Sequence, residues 1–390
     1  MRYRKIGNTG LEASVLGFGT MRLKGLENTA EVVNRGIELG MNYFDLGAAY
    51  CWKNDQENAE VWVGKAIKGR PRESLILSDK AHCRPGEKPN PGLEFAIGVR
   101  NRDEMWRCIE NSLRRVGVEW FDFYQFWDAR SDGDLKMSCV GKDAPLQAMR
   151  EAKEQGLVKH LGFTTHGQPA DVIAWLKRVP EFRTVTIYHN FLDRYSEAIL
   201  DYALSSGVGV NIMGPLRGGL LSGRSEVFAR RLPGLGDVPV QQIALRFLLS
   251  HPGVTCVLTG ANVVAHVEEN AQTASAAAEM LPEEQEAFRA AFAEFSKGQP
   301  LCTGCRYCEG SCPESIQVYH LMGLYQAHEI FGMDEARRQL SKLGVKASSD
   351  LAKCKACKKC VEACPQKLPI PERMKRLAEL VKELVGASVK

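Results

Sequence analysis

The sequence predicts an α/β protein: a closed (β/α)8 TIM barrel followed by a small, mainly helical domain. Along the first 300 residues, eight short apolar runs alternate in strict order with eight amphipathic stretches. Such alternation indicates parallel strands joined by crossover helices, and eight such units close into a barrel. Beyond residue 300, eight of the 13 cysteines form two runs of identical spacing. We therefore expect a barrel over residues 1–296 and a second domain over residues 297–390.

The predicted barrel strands are short segments rich in β-branched and aromatic residues, which suit buried parallel strands. They cover residues 15–19, 43–46, 75–78, 121–126, 161–165, 185–188, 209–213 and 257–259. The predicted helices between them have the apolar spacing of a helix packed on one face. They cover residues 29–39, 57–67, 102–115, 145–155, 169–176, 197–205, 240–249 and 263–270. Long loops are expected at 81–100 and 128–143, and these are candidates for substrate selection.

Both cysteine runs have the form C-x2-C-x2-C-x3-C-P. The first contains Cys302, Cys305, Cys308 and Cys312, and the second contains Cys354, Cys357, Cys360 and Cys364. This spacing resembles bacterial two-cluster ferredoxins, in which the fourth cysteine of each run ligates the other cluster. It predicts two [4Fe-4S] clusters, one held by Cys302, Cys305, Cys308 and Cys364, the other by Cys312, Cys354, Cys357 and Cys360.

Two other interpretations of the runs fit less well. Structural zinc usually takes separated C-x2-C pairs or includes histidine, and disulfides are rare in reducing compartments. The remaining cysteines, at 51, 83, 108, 139 and 256, lack ligand spacing and are expected to be small apolar core residues.

The region around the cysteine runs is expected to be helical. A helix is predicted over residues 281–296, and residues 318–343 are mostly helical in pattern, which is too long for a compact ferredoxin. Basic residues gather near the second run and could attract an acidic ferredoxin or flavodoxin. A solvated helix face is an equally good explanation. These residues are Lys353, Lys355, Lys358, Lys359, Lys367, Arg373, Lys375 and Arg376.

Composition excludes several classes of function. The formal net charge of +4 is too small to favour a nucleic-acid partner. No apolar run approaches bilayer length, and the basic start has no following apolar segment of a signal peptide. We therefore expect no membrane association and a cytoplasmic location.

Three polar residues follow successive predicted strands, where a barrel places its chemistry. Asp45 and Tyr50 follow the second strand, and Lys80 ends the third. A lysine beside a tyrosine is expected to lower the phenol pKa, because the cation stabilises the phenolate. Such a tyrosine can act as general acid toward a carbonyl that accepts hydride. Taken singly, an aspartate would more often cap a turn and a lysine more often be a solvated charge.

Several motifs in the first 300 residues support that interpretation. They are the opening residues 1–11, LGFGT at 16–20, GMNYFD at 40–45, Lys80 and SLRR at 112–115. Together they resemble the aldo-keto reductase family, and the cysteine-rich end resembles its branch with a C-terminal iron-sulfur domain. The resemblance implies that Asp45, Tyr50 and Lys80 belong to a catalytic tetrad with Tyr50 as proton donor. At the position of the fourth member, a histidine in the family, this sequence has Trp127.

The resemblance also implies a bound NADP or NAD. Nicotinamide contacts are expected from Thr164 and Thr165, where the family has Ser-Asn, and from Tyr188, where it has glutamine. His166 is a candidate catalytic residue, or a residue that only caps a turn. The loop at 214–221 resembles the pyrophosphate loop, and residues 259–262 open a helix that can bind phosphate. The further cofactor residues implied are Pro215, Leu216, Gly218, Thr259, Gly260, Asn262, His266, Glu269 and Asn270.

The preferred functional hypothesis is an NAD(P)H-linked oxidoreductase that interconverts a carbonyl and an alcohol and carries two [4Fe-4S] clusters for electron transfer. One alternative is an electron-transfer subunit whose barrel has lost hydride chemistry, which Trp127 suggests. Another is a lyase or isomerase that uses the Tyr50 and Lys80 pair without a nicotinamide.

Overall fold

The structure is a computed structural model. It describes residues 1–82, 98–129, 131–191, 193–219, 221–223, 238–276, 283, 286, 302, 308, 310–343, 345–364 and 367–386. The chain divides into two compact units. The first comprises Met1–Asn190, Tyr195–Pro215 and Leu245–Glu279, and the second comprises Phe191–Arg194, Leu216–Ala244 and Met280–Lys390. The predicted domain boundary at 296/297, Cys83, Cys305 and most of the helix predicted at 281–296 lie outside the described residues.

Eight parallel strands form a closed barrel, as the sequence predicts. The strands are β3 (Leu16–Gly19), β4 (Tyr43–Asp45), β5 (Ile76–His82), β6 (Phe121–Trp127), β7 (Val158–Thr165), β8 (Phe182–Tyr188), β9 (Gly209–Met213) and β10 (Cys256–Thr259). Around the barrel the order is β10-β3-β4-β5-β6-β7-β8-β9.

A short antiparallel hairpin that the sequence analysis did not predict precedes the barrel. It consists of β1 (Tyr3–Lys5) and β2 (Glu12–Ser14). Ile6 and Ala13 of the hairpin region pack with Tyr43 and Phe123 in one buried apolar cluster. The hairpin therefore closes the N-terminal end of the barrel, which leaves the opposite end for chemistry.

Helices surround the barrel close to the predicted positions. They are α1 (Leu26–Glu38), α2 (Ala59–Ile67), α3 (Arg102–Val116), α4 (Asp132–Cys139), α5 (Pro145–Glu154), α6 (Pro169–Arg178), α7 (Glu197–Ser206), α8 (Val240–Leu249) and α9 (Val264–Ser275). Helix α4 corrects the prediction of a plain loop at 128–143. Ser131 and Asp134 form a reciprocal capping box at its start, a local signal that the sequence analysis missed.

Strand β5 is longer than predicted and runs to His82 instead of ending at Ser78. Asp79 and Lys80 disfavour strand structure by propensity. Parallel pairing with β6 overrides that preference, since Lys80 pairs with Gln125 and His82 with Trp127. Alternation along β5 then directs Ser78, Lys80 and His82 to the same face.

A layer of polar side chains crosses the barrel interior below the catalytic end. Gln125 donates a hydrogen bond to the Ser78 hydroxyl at 2.7 Å and accepts one from Thr186 at 3.1 Å. Asn211 donates to the Tyr43 hydroxyl at 2.8 Å. These residues are completely or almost completely buried, so paired hydrogen bonds are required to offset their desolvation.

The described helices of the second unit's C-terminal part are α10 (Val318–Phe331), α11 (Met333–Leu343), α12 (Val345–Ala352), α13 (Lys359–Glu362) and α14 (Ile370–Gly386). The helical stretch predicted at 318–343 is divided at Gly332, whose φ of 84° breaks the helix. Leu321, Tyr325 and Leu377 share one buried core with Cys302 and Cys364.

Among the described residues, no helix has the length and apolar character that a bilayer crossing requires.

Candidate active site and metal centres

Lys80 and Asp45 form a buried ion pair inside the barrel. The Lys80 Nζ lies 2.6 Å from the Asp45 Oδ2, and the two side chains are 2% and 7% exposed. Nζ also donates to the Leu46 carbonyl. Burial lowers the pKa of Lys80, but the nearby charges of Asp45 and Tyr50 outweigh that effect and raise it above its usual value. Lys80 therefore remains a cation, held at a fixed position.

Tyr50 follows β4 and lies over this ion pair. The Lys80 Nζ is 4.8 Å from the centre of the Tyr50 ring. A Cβ at Gly47 would lie 3.2 Å from that ring, so a larger residue there would press on the ring and shift it. The three predicted residues Asp45, Tyr50 and Lys80 are thus brought together.

The expectation of a lowered Tyr50 pKa is wrong in its net result. Burial raises the pKa of Tyr50 to about 12, although the charge of Lys80 acts in the opposite direction. Desolvation outweighs the cation because a phenolate without water is costly. Tyr50 is therefore protonated at neutral pH and can donate a proton.

Trp127 stands between two other aromatic side chains. Its ring centre is 5.3 Å from that of Tyr50 and 5.6 Å from that of His82, with both contacts edge to face. His82 is buried and was not recognised in the sequence. His82 lies two residues after Lys80, and this spacing places both on the same face of a strand. The predicted strand ended at residue 78, so this relation was not recognised.

A buried polar network on the other face of β5 supports Lys80, and it was also missed. Asp79 accepts a hydrogen bond from the Lys80 backbone N-H at 2.7 Å. Burial, followed by the charge of Glu60, raises the pKa of Asp79 well above its usual value. Glu60 in turn accepts from the Ser112 hydroxyl at 2.7 Å and forms an ion pair with Arg115. The network joins α2 and α3 to the strand that carries Lys80.

The two threonines at the end of β7 hold the loop that follows β6. The Thr164 hydroxyl accepts a hydrogen bond from the Asp128 backbone N-H at 2.8 Å. The Thr165 hydroxyl donates to the Ala129 carbonyl and accepts from the Gly167 N-H. The Thr164 hydroxyl can therefore still donate a hydrogen bond to another partner, whereas the Thr165 hydroxyl already donates to Ala129.

His166 and Tyr188 form a second aromatic contact, with ring centres 5.5 Å apart. The Tyr188 ring lies over Gly214, where an added Cβ would be 2.2 Å from the ring. Gly214 has a φ of 68°, so both its conformation and its contact require glycine. Both aromatic side chains are half-buried at the ends of β7 and β8.

The predicted pyrophosphate loop follows β9. Pro215 is buried and belongs to the first unit, whereas Leu216 and Gly218 belong to the second. Gly218 has a φ of 67°, and the Leu216 carbonyl accepts from the Gly219 N-H at 2.8 Å. The sharp turn at 217–219 exposes Gly218.

The predicted adenine and phosphate residues cluster around the start of α9. Asn270 donates to the Thr259 hydroxyl at 3.1 Å, and both are buried. Asn262 donates to the Arg22 carbonyl at 2.8 Å, and a Cβ at Gly260 would lie 3.3 Å from the Arg22 side chain. Helix α9 has no side-chain cap at its N-terminus, which leaves N-H groups available for an anion. His266 and Glu269 are exposed.

Four cysteines of the second predicted cluster line one small cavity in the second unit. They are Cys312, Cys354, Cys357 and Cys360, joined by apolar walls that include Ile370 and Met374. Burial raises the pKa of Cys360, and the charges of Cys354, Cys357 and Cys312 raise it further. Cys312, the last cysteine of the first run, is therefore grouped with the first three of the second run.

Two of the three described cysteines of the first predicted cluster, Cys302 and Cys364, are more deeply buried. Cys302 and Cys364 are 9% and 7% exposed and belong to one apolar core, against which Cys308 packs. Burial lowers the pKa of the buried Arg373, and the charges of Tyr325, Cys302 and other nearby groups oppose this effect. Cys302 and Cys364 are both close enough to act on Arg373.

The cysteines fit iron-sulfur clusters in donor type and in grouping. Soft thiolates are the usual ligands of these clusters, and the position of Cys312 beside the second run matches the two-cluster pattern. Across the described residues, no three His, Cys, Asp or Glu side chains converge to hold a single metal ion.

Comparisons with known proteins identify the families that the two parts of the chain match. Residues 15–287 match the aldo/keto reductase family, and residues 301–369 match the 4Fe-4S dicluster domain. The uncharacterized oxidoreductase YqkF of Bacillus subtilis is 26% identical over 71% of this chain and 92% of its own length. L-galactose dehydrogenase of Arabidopsis thaliana is 26% identical over 68% of this chain and 86% of its own.

Among solved structures, the holo form of aldo-keto reductase AKR11C1 from Bacillus halodurans is similar to this chain. It superposes with a TM-score of 0.63 at 27% identity and covers 75% of this chain and 96% of its own. The family match spans well over half of the chain and includes the strands that carry Asp45 and Lys80. This protein is an oxidoreductase that belongs to the aldo/keto reductase family and carries a C-terminal 4Fe-4S dicluster domain.

Proposed function

We propose that this protein interconverts a carbonyl and an alcohol with NAD(P)H, and that Tyr50 exchanges the proton. One observation supports this above the others: the buried Lys80 cation lies 2.6 Å from the Asp45 carboxylate and 4.8 Å from the Tyr50 ring. A fixed cation beside a protonated phenol is the arrangement that a carbonyl oxygen needs when it gains negative charge.

The chain's own groups divide the work as follows. The nicotinamide, when bound, supplies or accepts a hydride. Tyr50 donates its hydroxyl proton to the substrate oxygen during reduction and takes one back during oxidation. After Tyr50 has donated its proton it is a phenolate, which the Lys80 cation stabilises. Asp45 holds the Lys80 side chain in position.

Trp127 orients the substrate. Its indole has a single N-H donor and no proton to exchange at ordinary pH. Its large ring, fixed between Tyr50 and His82, narrows the pocket on that side. Planar or apolar carbonyl compounds that stack on an aromatic face are therefore the preferred substrate class.

The nucleotide contacts are proposed at two places: the ends of β7 and β8, and the start of α9. Thr164 has a free hydroxyl proton for a carboxamide oxygen, and Tyr188 presents a ring for the nicotinamide. The uncapped start of α9 offers N-H groups to phosphate. Asn270 and Glu269 are the proposed adenine contacts.

The second domain is proposed to hold two [4Fe-4S] clusters with crossed ligands. A [4Fe-4S] cluster, when bound there, would take up one electron at a time, so a one-electron carrier such as a ferredoxin or flavodoxin is the expected type of partner. About eight irons per chain should follow from the two ligand sets.

The test is Tyr50→Phe, which removes the hydroxyl and keeps the ring. We expect turnover of an aromatic aldehyde with NADPH or NADH to fall by roughly 10² to 10⁴, the usual worth of a positioned general acid. Nucleotide affinity, measured by fluorescence quenching, should stay unchanged. Tyr202→Phe on α7 is the matched control and should behave as the wild type. Equal turnover in both variants would refute the proposed role.

A second candidate is an electron-transfer protein whose barrel no longer performs hydride chemistry. It is favoured by Trp127 at the tetrad position and by the Thr165 hydroxyl, which already bonds to the Ala129 carbonyl and the Gly167 N-H. Anaerobic titration with NADH and NADPH separates the two. Nucleotide binding without turnover of any carbonyl in a broad panel would favour this candidate.

A further inference from the structure

We infer that the cluster held by Cys312, Cys354, Cys357 and Cys360 is the point of electron entry and exit, and that the exposed lysines beside it form a docking surface for an acidic one-electron carrier protein. This surface, termed the lysine face, consists of Lys353, Lys355, Lys358 and Lys359. The inference rests on the proposed assignment of two clusters. Beyond that assignment, it specifies which of the two clusters exchanges electrons with the partner and that the partner's surface is negatively charged.

The two ligand sets differ in exposure. Cys357 is exposed, and Cys354, Cys360 and Cys312 are half-buried. Of the three described members of the other set, Cys302 and Cys364 are buried in the apolar core of the second unit, and Cys308 is half-buried. Since electron transfer between proteins requires a short path, the set that contains the exposed Cys357 is the better one for a partner to approach.

The backbone around Cys357 presents this ligand outward. Ala356 and Lys358, on either side of it, have φ values of 52° and 62°. These left-handed conformations curl the chain so that residues 355–359 form a continuous exposed stretch. The cluster-binding cavity is thus covered from outside by the backbone that carries the lysines.

Positive charge dominates the exposed part of this surface. Within the described residues, Lys358 and Lys359 have no carboxylate within ion-pair distance. Lys355 pairs with Glu314, but the lysine side chain is 71% exposed and the glutamate 28%. Lys353 pairs with Asp350 in the same way, at 53% against 5% exposure. The ammonium groups therefore face the solvent and the carboxylates lie beneath them, apart from the exposed Glu362.

The lysines also counter the charge of the cluster itself. A [4Fe-4S] cluster bound by four thiolates is an anion and gains one more negative charge on reduction. An acidic partner would be repelled by that charge, and the cations around Cys357 offset it and raise the encounter rate. The electron step is balanced: the carrier loses one electron, the cluster gains it, and no bond or proton changes place.

An apolar partner surface is a poorer fit. The exposed large hydrophobic residues among the described residues are Tyr3, Met21, Leu26, Val140, Leu204 and Val263. All of them lie before residue 264, and none is near the lysine face in the sequence. The lysine face would therefore bind a partner protein through its positive charge.

The experiment uses the reconstituted full-length protein and the variant K358E/K359E. The control K382E also exchanges exposed lysine for glutamate in the same unit. It lies about 12 Å further along α14 than the cavity-lining Met374, from the helix rise per residue. Iron content and visible spectrum are measured first, so that only intact clusters are compared.

Stopped-flow absorption then follows cluster bleaching by two small reductants of opposite charge. At low ionic strength, the anionic radical from dithionite should reduce K358E/K359E about tenfold more slowly than wild type, and the cationic methyl viologen radical should reduce it faster. Both differences should shrink in about 0.5 M salt. Equal rates for all proteins would overturn the inference. Failure of every protein to bleach would instead contradict the proposed redox role of the clusters.

Complex formation gives a readout independent of turnover. An acidic plant-type [2Fe-2S] ferredoxin is titrated into each oxidised protein by calorimetry. We expect wild type and K382E to bind with a salt-dependent affinity that K358E/K359E loses by tenfold or more. Binding that is unaffected by K358E/K359E would overturn the docking surface. Binding to anionic phospholipid vesicles in preference to the ferredoxin would overturn the choice of partner.

Discussion

Replacing Lys80 with methionine removes the buried cation and keeps an unbranched side chain of similar length. The magnitude follows from the structure, because Nζ lies 4.8 Å from the Tyr50 ring centre. At an effective dielectric constant of about 20, unit charges at this separation interact by about 3 kcal/mol. A phenolate that loses this support should slow proton exchange by roughly 10² to 10³. The pKa of Tyr50 should rise beyond its value of about 12.

The same change should destabilise the fold, since Asp45 remains buried without its partner. Loss of one member of a buried ion pair typically costs about 3–5 kcal/mol. The double variant Lys80→Met with Asp45→Asn removes the stranded charge and should regain much of that stability. It should not regain turnover, and this separates the chemical role of Lys80 from its structural role.

The assay is single-turnover reduction of an aromatic aldehyde, with unfolding by urea measured in parallel. Lys159→Met is the matched control, because Lys159 also lies against an aromatic ring, 4.7 Å from Trp120, but is 42% exposed. It should leave turnover unchanged and stability within about 1 kcal/mol. Full activity in the double variant would refute the electrostatic role of Lys80.

Three further predictions concern other parts of the chain. Cys364→Ser should remove the buried cluster and leave the cluster around Cys357, halving the iron content; loss of only the exposed cluster, by electron paramagnetic resonance, would contradict the crossed ligands. Trp127→Phe should lower kcat/KM for planar carbonyl substrates through loss of the indole N-H, and unchanged kinetics would exclude that hydrogen bond. Burial lowers the pKa of His160 to about 4 from an ordinary value near 6.5, so stability should fall as pH drops from 6.5 to 4. His160→Gln should flatten that slope in urea unfolding, and an unchanged slope would show that His160 does not cause it.

The sequence by itself predicted the barrel and the 4Fe-4S dicluster domain, and both predictions are confirmed. Eight alternating units favour a parallel barrel, and the cysteine spacing is a local property of the chain. The sequence also predicted that Asp45, Tyr50 and Lys80 lie together, since each residue follows or ends a strand and a parallel barrel gathers such residues at one end. These inferences needed only order and spacing along the chain.

The tertiary structure decided what depends on neighbours distant in sequence. Strand β5 continues to His82 because β6 pairs with it, and this brings His82 against Trp127. The pKa of Tyr50 depends on how far the fold removes the phenol from water. The sequence pattern predicts a nearby lysine but does not predict this burial. Likewise, the two cysteine runs are identical in spacing, and only packing makes Cys357 exposed and Cys302 buried. Burial depends on contacts between residues distant in the chain, so the spacing of residues along the sequence does not determine it.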